Sequence, residues 1–103
     1  MKRLIDYIEE HLDSNLSLDA MANELQISAL YLPRVFKIAV GQSPHQYVLA
    51  RRIERAKNLL RNTDSPIADV ALSSCFSSQS HLSNWFLRLF GIPPAVYRRQ
   101  SEP

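Results

Sequence analysis

Apolar residues along this chain recur three and four apart, the spacing of helices with one buried face. Leu4, Ile5, Ile8 and Leu12 mark a first helix whose other side carries Asp6, Glu9 and Glu10. Asn15-Leu16-Ser17 interrupts it, and Ser17 is placed to cap a second helix with Asp19 in its first turn and Leu18, Met21, Ala22 and Leu25 inward. Ser28 caps a third helix burying Leu32, Val35, Phe36 and Ala39, which Gly41 ends. Ser43-Pro44 opens a long fourth helix over residues 44–63, with Tyr47, Leu49, Ile53, Ala56 and Leu60 on its inner face. Ser65-Pro66 starts a fifth with Ile67, Val70 and Ala71 inside. Ser78 caps a sixth that buries Leu82, Trp85, Phe86 and Leu89 and stops at Gly91. Pro93-Pro94 begins a short seventh with Val96 and Tyr97. Nothing reads as a strand, so the expected fold class is all-α.

The pattern repeats itself. Ser28, Leu32, Phe36, Gly41, Pro44 and Tyr47 return as Ser78, Leu82, Phe86, Gly91, Pro94 and Tyr97, each 50 positions later. Upstream the offset is 49, pairing Leu18, Met21, Ala22 and Ile27 with Ile67, Val70, Ala71 and Phe76. Two copies of helix, short turn, helix predict seven helices in two helix-turn-helix units. The expected organisation is a single domain over 1–103: a first subdomain at 1–43, a linker helix at 44–63 and a second subdomain at 64–103.

Composition narrows the classes. The chain has 103 residues and no run of the ~18 apolar residues that a membrane helix needs. Its single cysteine, Cys75, excludes an internal disulfide and fits a reducing compartment. Met1-Lys2-Arg3 runs straight into an acidic amphipathic stretch with no signal-peptide pattern. Cytoplasmic location is the expectation. With two glycines there is no phosphate-cradling loop, and neither paired carboxylates nor a nucleophile elbow stands out. Cys75 and His81 are six apart with no third ligand near, so no metal, no cofactor and no enzyme is expected.

The net charge of +2 is distributed unevenly. Residues 1–27 hold two basic against six acidic residues, net −4; residues 28–63 hold seven basic against one acidic, net +6. An acidic start beside a basic middle suits a molecule that turns one side to a polyanion.

In a helix-turn-helix the second helix offers its N-terminal outward residues to base edges in the major groove. Removing the inner stripe leaves Ala29, Leu30, Pro33 and Arg34 as base-contact candidates in the third helix, and Gln79, Ser80, Ser83 and Asn84 in the sixth. Gln and Asn pair with adenine through two hydrogen bonds, and Arg does so with guanine. Ser28 and Ser78, at helix N-termini, are candidates for phosphate, as are Lys37, Arg51, Arg55, Arg88 and Arg98. A 20-residue linker helix would be about 30 Å long, close to the ~34 Å between successive major grooves. One chain could then serve two grooves, binding as a monomer.

The segments 27–60, ISALYLPRVFKIAVGQSPHQYVLARRIERAKNLL, and 65–99, SPIADVALSSCFSSQSHLSNWFLRLFGIPPAVYRR, resemble the DNA-binding domain of the AraC/XylS family of bacterial transcription regulators. The second segment follows the family's Ile-x-x-Val-Ala start, Phe-x-Ser turn, Phe-x-x-x-Phe-Gly helix end and Pro-x-x-Tyr-Arg close. The resemblance implies seven helices, two recognition helices in adjacent major grooves of bent promoter DNA, and regulation, usually activation, through RNA polymerase. Members carry this domain alone or behind a sensor domain. Three positions depart from the pattern: Cys75 stands where glycine is usual, Pro33 where a polar side chain is usual, and Asn84 where a long basic one is usual. At φ > 0 Cys75 would cost about 1 kcal/mol, and Pro33 removes a helix hydrogen bond. A competing reading is a degenerate double helix-turn-helix that serves as a protein-interaction module for RNA polymerase or another regulator.

Overall fold

The computed structural model describes residues 1–14 and 16–101; Asn15, part of the expected first break, lies outside the described residues, as does Glu102 of the charge count. Seven helices and no strand occur among them: α1 Lys2–Glu10, α2 Leu18–Leu25, α3 Leu32–Val40, α4 Pro44–Asn62, α5 Ile67–Ser73, α6 Gln79–Phe90 and α7 Pro94–Ser101. The chain divides into two units, Met1–Arg51 and Arg52–Pro103, so the division falls inside α4 and each unit takes one half of it.

In unit 1, Leu4, Ile8, Leu12, Met21, Ala22, Leu32, Phe36 and Val48 form one buried cluster. Ser17 Oγ accepts the Ala20 N–H at 3.1 Å and caps α2. Ser43 and Gln46 bond reciprocally at the start of α4, Ser43 N–H to Oε1 at 3.1 Å and Gln46 N–H to Oγ at 3.2 Å. In unit 2, Ile53, Ala56, Leu60, Val70, Ala71, Phe76, Leu82 and Phe86 are buried.

The echo in sequence is an echo in geometry. Between α2 and α3 the turn is a Schellman motif: Ile27 N–H reaches Ala22 O at 3.1 Å, Gln26 N–H reaches Asn23 O at 3.1 Å, and Gln26 takes φ 56°. Forty-nine residues on, Phe76 N–H bonds Ala71 O at 2.9 Å, Cys75 N–H bonds Leu72 O at 3.1 Å, and Cys75 takes φ 67°. Cys75 therefore does occupy the left-handed region. The glycine stops Gly41 and Gly91 have φ 91° and 76°, again 50 apart. Phe36 meets Tyr47 edge-on at 5.7 Å, and Phe86 meets Tyr97 edge-on at 5.3 Å.

Several inward expectations are corrected. Val35 and Ala39 in α3 and Leu89 in α6 are exposed, because the core stripes run through Leu32, Phe36 and half-buried Val40, and through Leu82 and Phe86. Phe90 lies at the rim, under the Lys57 ammonium at 5.0 Å, and Trp85 is half-buried. Leu18, at the first position of α2, is exposed, while Leu25 and Ile67 are half-buried. α4 ends one residue earlier than expected, where Thr63 Oγ1 donates to Leu59 O at 2.6 Å.

Candidate nucleic-acid interface

The second helices of the two turns, α3 and α6, carry the candidate contacts. The stretches of chain that hold them lack carboxylates: no acidic residue occurs between Glu24 and Glu54, nor between Asp69 and Glu102. Hydrogen-bond donors there face no competing acid on the same stretch of chain.

The two helices start differently. At α6, Ser78 is extended and its Oγ accepts the His81 N–H at 3.1 Å, so regular helix begins at the next residue, Gln79. At α3 the chain also turns helically from Ser28. Leu32 N–H reaches Ser28 O at 3.2 Å, and Tyr31 sits at φ −86°, ψ −24°. The next rung would come from residue 33, which is proline and has no N–H. Regular helix starts only at Leu32, with Pro33 in its first turn. Ser28 Oγ instead accepts the Leu30 N–H at 3.2 Å.

The structure places the base-contact candidates as follows. Leu30 is 90% exposed and Arg34 is exposed, while Ala29 packs against the unit 1 core and Pro33 is half-buried. In α6, Gln79, Ser80 and Asn84 are exposed and Ser83 is half-buried. Leu30, Arg34 and Lys37, spaced four and three apart, share one stripe; His81, Asn84 and Arg88, three and four apart, share another.

The phosphate candidates separate into two groups. Lys37 and Arg55 are exposed, and among the described residues neither they nor Arg34 forms an ion pair. Arg88 lies with its guanidinium 5.0 Å over the Trp85 ring, on the exposed side of α6. Ser28 and Ser78 already accept backbone N–H groups, which leaves each hydroxyl proton to give. Arg51 and Arg98 are engaged inside the protein. Arg51 holds Glu9 with Nε to Oε1 at 2.6 Å and Nη2 to Oε2 at 3.2 Å. Arg98 donates to Leu60 O at 3.0 Å and Ser65 O at 2.7 Å, tying α7 to the end of α4 and the start of α5. Tyr47 shares the Glu9 carboxylate, and burial, then the Glu9 charge, push its phenol above the usual range.

Sequence reasoning passed over His81. Its Nδ1 is 3.3 Å from the Ser77 backbone nitrogen and 3.2 Å from Ser77 Oγ, and its ring stands edge-on to buried Phe76 at 5.3 Å. The signal was its place at the head of the Asn84–Arg88 stripe. No group of three or more His, Cys, Asp or Glu able to hold a metal occurs among the described residues.

A left-handed turn between two helices, built twice with the second helix exposed along its outer face, defines a tandem helix-turn-helix protein. Residues 21–100 match the family described as Helix-turn-helix domain, and the chain belongs to the AraC/XylS family of such domains, a family of DNA-binding regulator domains and not of enzymes. It is 39% identical over 102 residues to the transcriptional regulator Rob of Salmonella typhimurium, a match that takes in 99% of this chain and 35% of that protein. The chain thus spans about a third of the length of that relative. An AraC-type transcriptional regulator structure from Chromobacterium violaceum superposes with a TM-score of 0.88 at 32% identity, covering 97% of this chain and 89% of the other. The DNA-binding domain of AdpA, a global transcriptional factor solved in complex with a target DNA, gives 0.87 at 28% identity over 94% of this chain and 87% of that one.

Proposed function

We propose that the chain is a sequence-specific DNA-binding domain of a bacterial transcription regulator, with α3 and α6 entering adjacent major grooves of promoter DNA. The observation that carries this is the pair of exposed helices, set in stretches of chain without acidic residues, that share the same turn and the same glycine stop. Arg34, Gln79, Ser80 and Asn84 read bases, Leu30 meets a thymine methyl, and Ala29, Pro33 and Ser83 line the contact. Lys37, Arg55, Arg88 and the hydroxyls of Ser28 and Ser78 hold phosphates. Arg51 and Arg98 act on the fold first, and any phosphate contact they make is secondary to those bonds. About 28 Å of continuous α4 is of the order of one groove repeat, which favours binding as a monomer. The relatives are named as transcriptional regulators, which supports a regulatory role; activation through RNA polymerase in the cytoplasm is what the family resemblance implies, and among the described residues no helix is long and apolar enough to cross a membrane.

The test is a selection of genomic fragments followed by titration at several salt concentrations. Affinity falls linearly with salt on logarithmic axes, by about 0.9 per phosphate neutralised. Arg34→Ala and Asn84→Ala each relax specificity in a different half of an asymmetric site. Equal affinity for scrambled duplex would remove the reading.

One observation favours a second role. Tyr31, Val35 and Ile38, spaced four and three apart, form an exposed apolar stripe on α3, with Ile38 78% exposed. A protein-interaction module for RNA polymerase or another regulator would use it. Retained binding to polymerase by a variant that has lost all DNA affinity would favour that role.

A further inference from the structure

We propose that His81 is a specificity-determining residue of the second half-site, donating from Nε2–H to the N7 atom of a purine in the major groove. The proposal rests on the DNA-binding reading above. Its basis is the contact that orients the ring's two nitrogens. The Ser77 backbone N–H, 3.3 Å from Nδ1, has only a proton to give, so Nδ1 carries the lone pair. In the neutral ring the proton then lies on Nε2, the edge turned away from the turn. Ser77 Oγ at 3.2 Å and the edge-on Phe76 ring at 5.3 Å hold that orientation before any ligand arrives.

Position does the rest. His81 is the third residue of α6 and heads the stripe that continues through Asn84 and Arg88. The N-terminal residues of a recognition helix are those that meet base edges, and its later residues pass toward the backbone. A neutral single donor at the head of the stripe suits N7, an acceptor that adenine and guanine share. His81 therefore separates purine from pyrimidine, whereas Asn84, with two partners, separates adenine from the rest.

Asparagine and glutamine dissect the ring. In His81→Asn the amide oxygen takes the place of Nδ1 and keeps the Ser77 bond, but nothing reaches the site of Nε2. In His81→Gln an amide N–H reaches that site and the Ser77 bond is lost. Each protein is titrated against a selected duplex and against copies carrying 7-deazapurine, one purine at a time, in the second half-site. Wild type loses roughly three- to tenfold at the purine that meets His81, as expected for one neutral hydrogen bond, besides any loss at adenines read by Gln79 or Asn84, which the His81 variants share. His81→Asn shows that loss on the unmodified duplex and no further loss at that purine, with an unchanged melting temperature. His81→Gln retains part of the sensitivity there. Identical 7-deazapurine profiles for all three proteins would overturn the assignment, as would a His81-dependent loss seen only with methylphosphonate at a phosphate. Failure of wild type to bind any duplex would instead remove the DNA-binding reading, and this proposal with it.

Discussion

Ser28 and Ser78 stand at equivalent places before α3 and α6, and Leu32 and Leu82 are equivalent core leucines, yet only Ser78 caps its helix, and one helix has nine residues and the other twelve. Part of the difference traces to one atom. Ser83 supplies a backbone N–H where its counterpart Pro33 has none, so the ladder runs unbroken from Ser78 but is interrupted after Ser28. The two outer faces differ as well: Leu30 and Tyr31 in the turn before α3 and Ile38 on it are apolar, while Gln79, Ser80, His81 and Asn84 crowd the head of α6. A duplicated scaffold keeps its turn and its stops while its readout surface diverges.

The largest test of that equivalence removes the paired anchors. Phe36→Ala and Phe86→Ala should each cost about 3–5 kcal/mol, since both rings are fully buried. By hydrogen exchange, protection should fall first in residues 1–51 for Phe36→Ala and in residues 52–101 for Phe86→Ala. An equal loss across both would erase the two-unit description. A smaller effect separates two arginines. Arg98→Ala strands two carbonyls and should cost about 2 kcal/mol in urea unfolding, while Arg51→Ala, losing a surface ion pair, should cost under about 1 kcal/mol. The smallest is Pro33→Ala. A regained rung offsets a looser unfolded chain, so stability should move by less than about 1 kcal/mol. NMR should nevertheless show a new, protected amide at residue 33; an unprotected one would sink the explanation of the short α3.

Much of this was legible in the chain. Caps at Ser17 and Ser78, stops at Gly41 and Gly91 and the buried phenylalanines follow from local rules that act within a few residues, and all stand where expected. The strained turn at Cys75 was also legible, as a departure from glycine; its partner Gln26 was not, because nothing in a glutamine advertises φ > 0. Positions one step off a stripe, such as Val35 and Leu89, depend on what packs against the helix, which periodicity alone does not contain. The inward pulls on Arg51 and Arg98 come from residues about 40 positions away, out of reach of any local pattern. The place of His81 at the head of the Asn84–Arg88 stripe was legible, but the donation from Ser77 that orients its ring was not.

The Arg98 clamp has a consequence in time. Unit 1 has its whole core in hand once Val48 has left the ribosome, and it can close while the rest of the chain is still being made. Unit 2 cannot. The carbonyls of Leu60 and Ser65 wait in water for a guanidinium that is synthesised after every other helix is complete. A chain cut short before Arg98 therefore has a complete first half and an open second one, and it is the second half that a protease or a chaperone would meet.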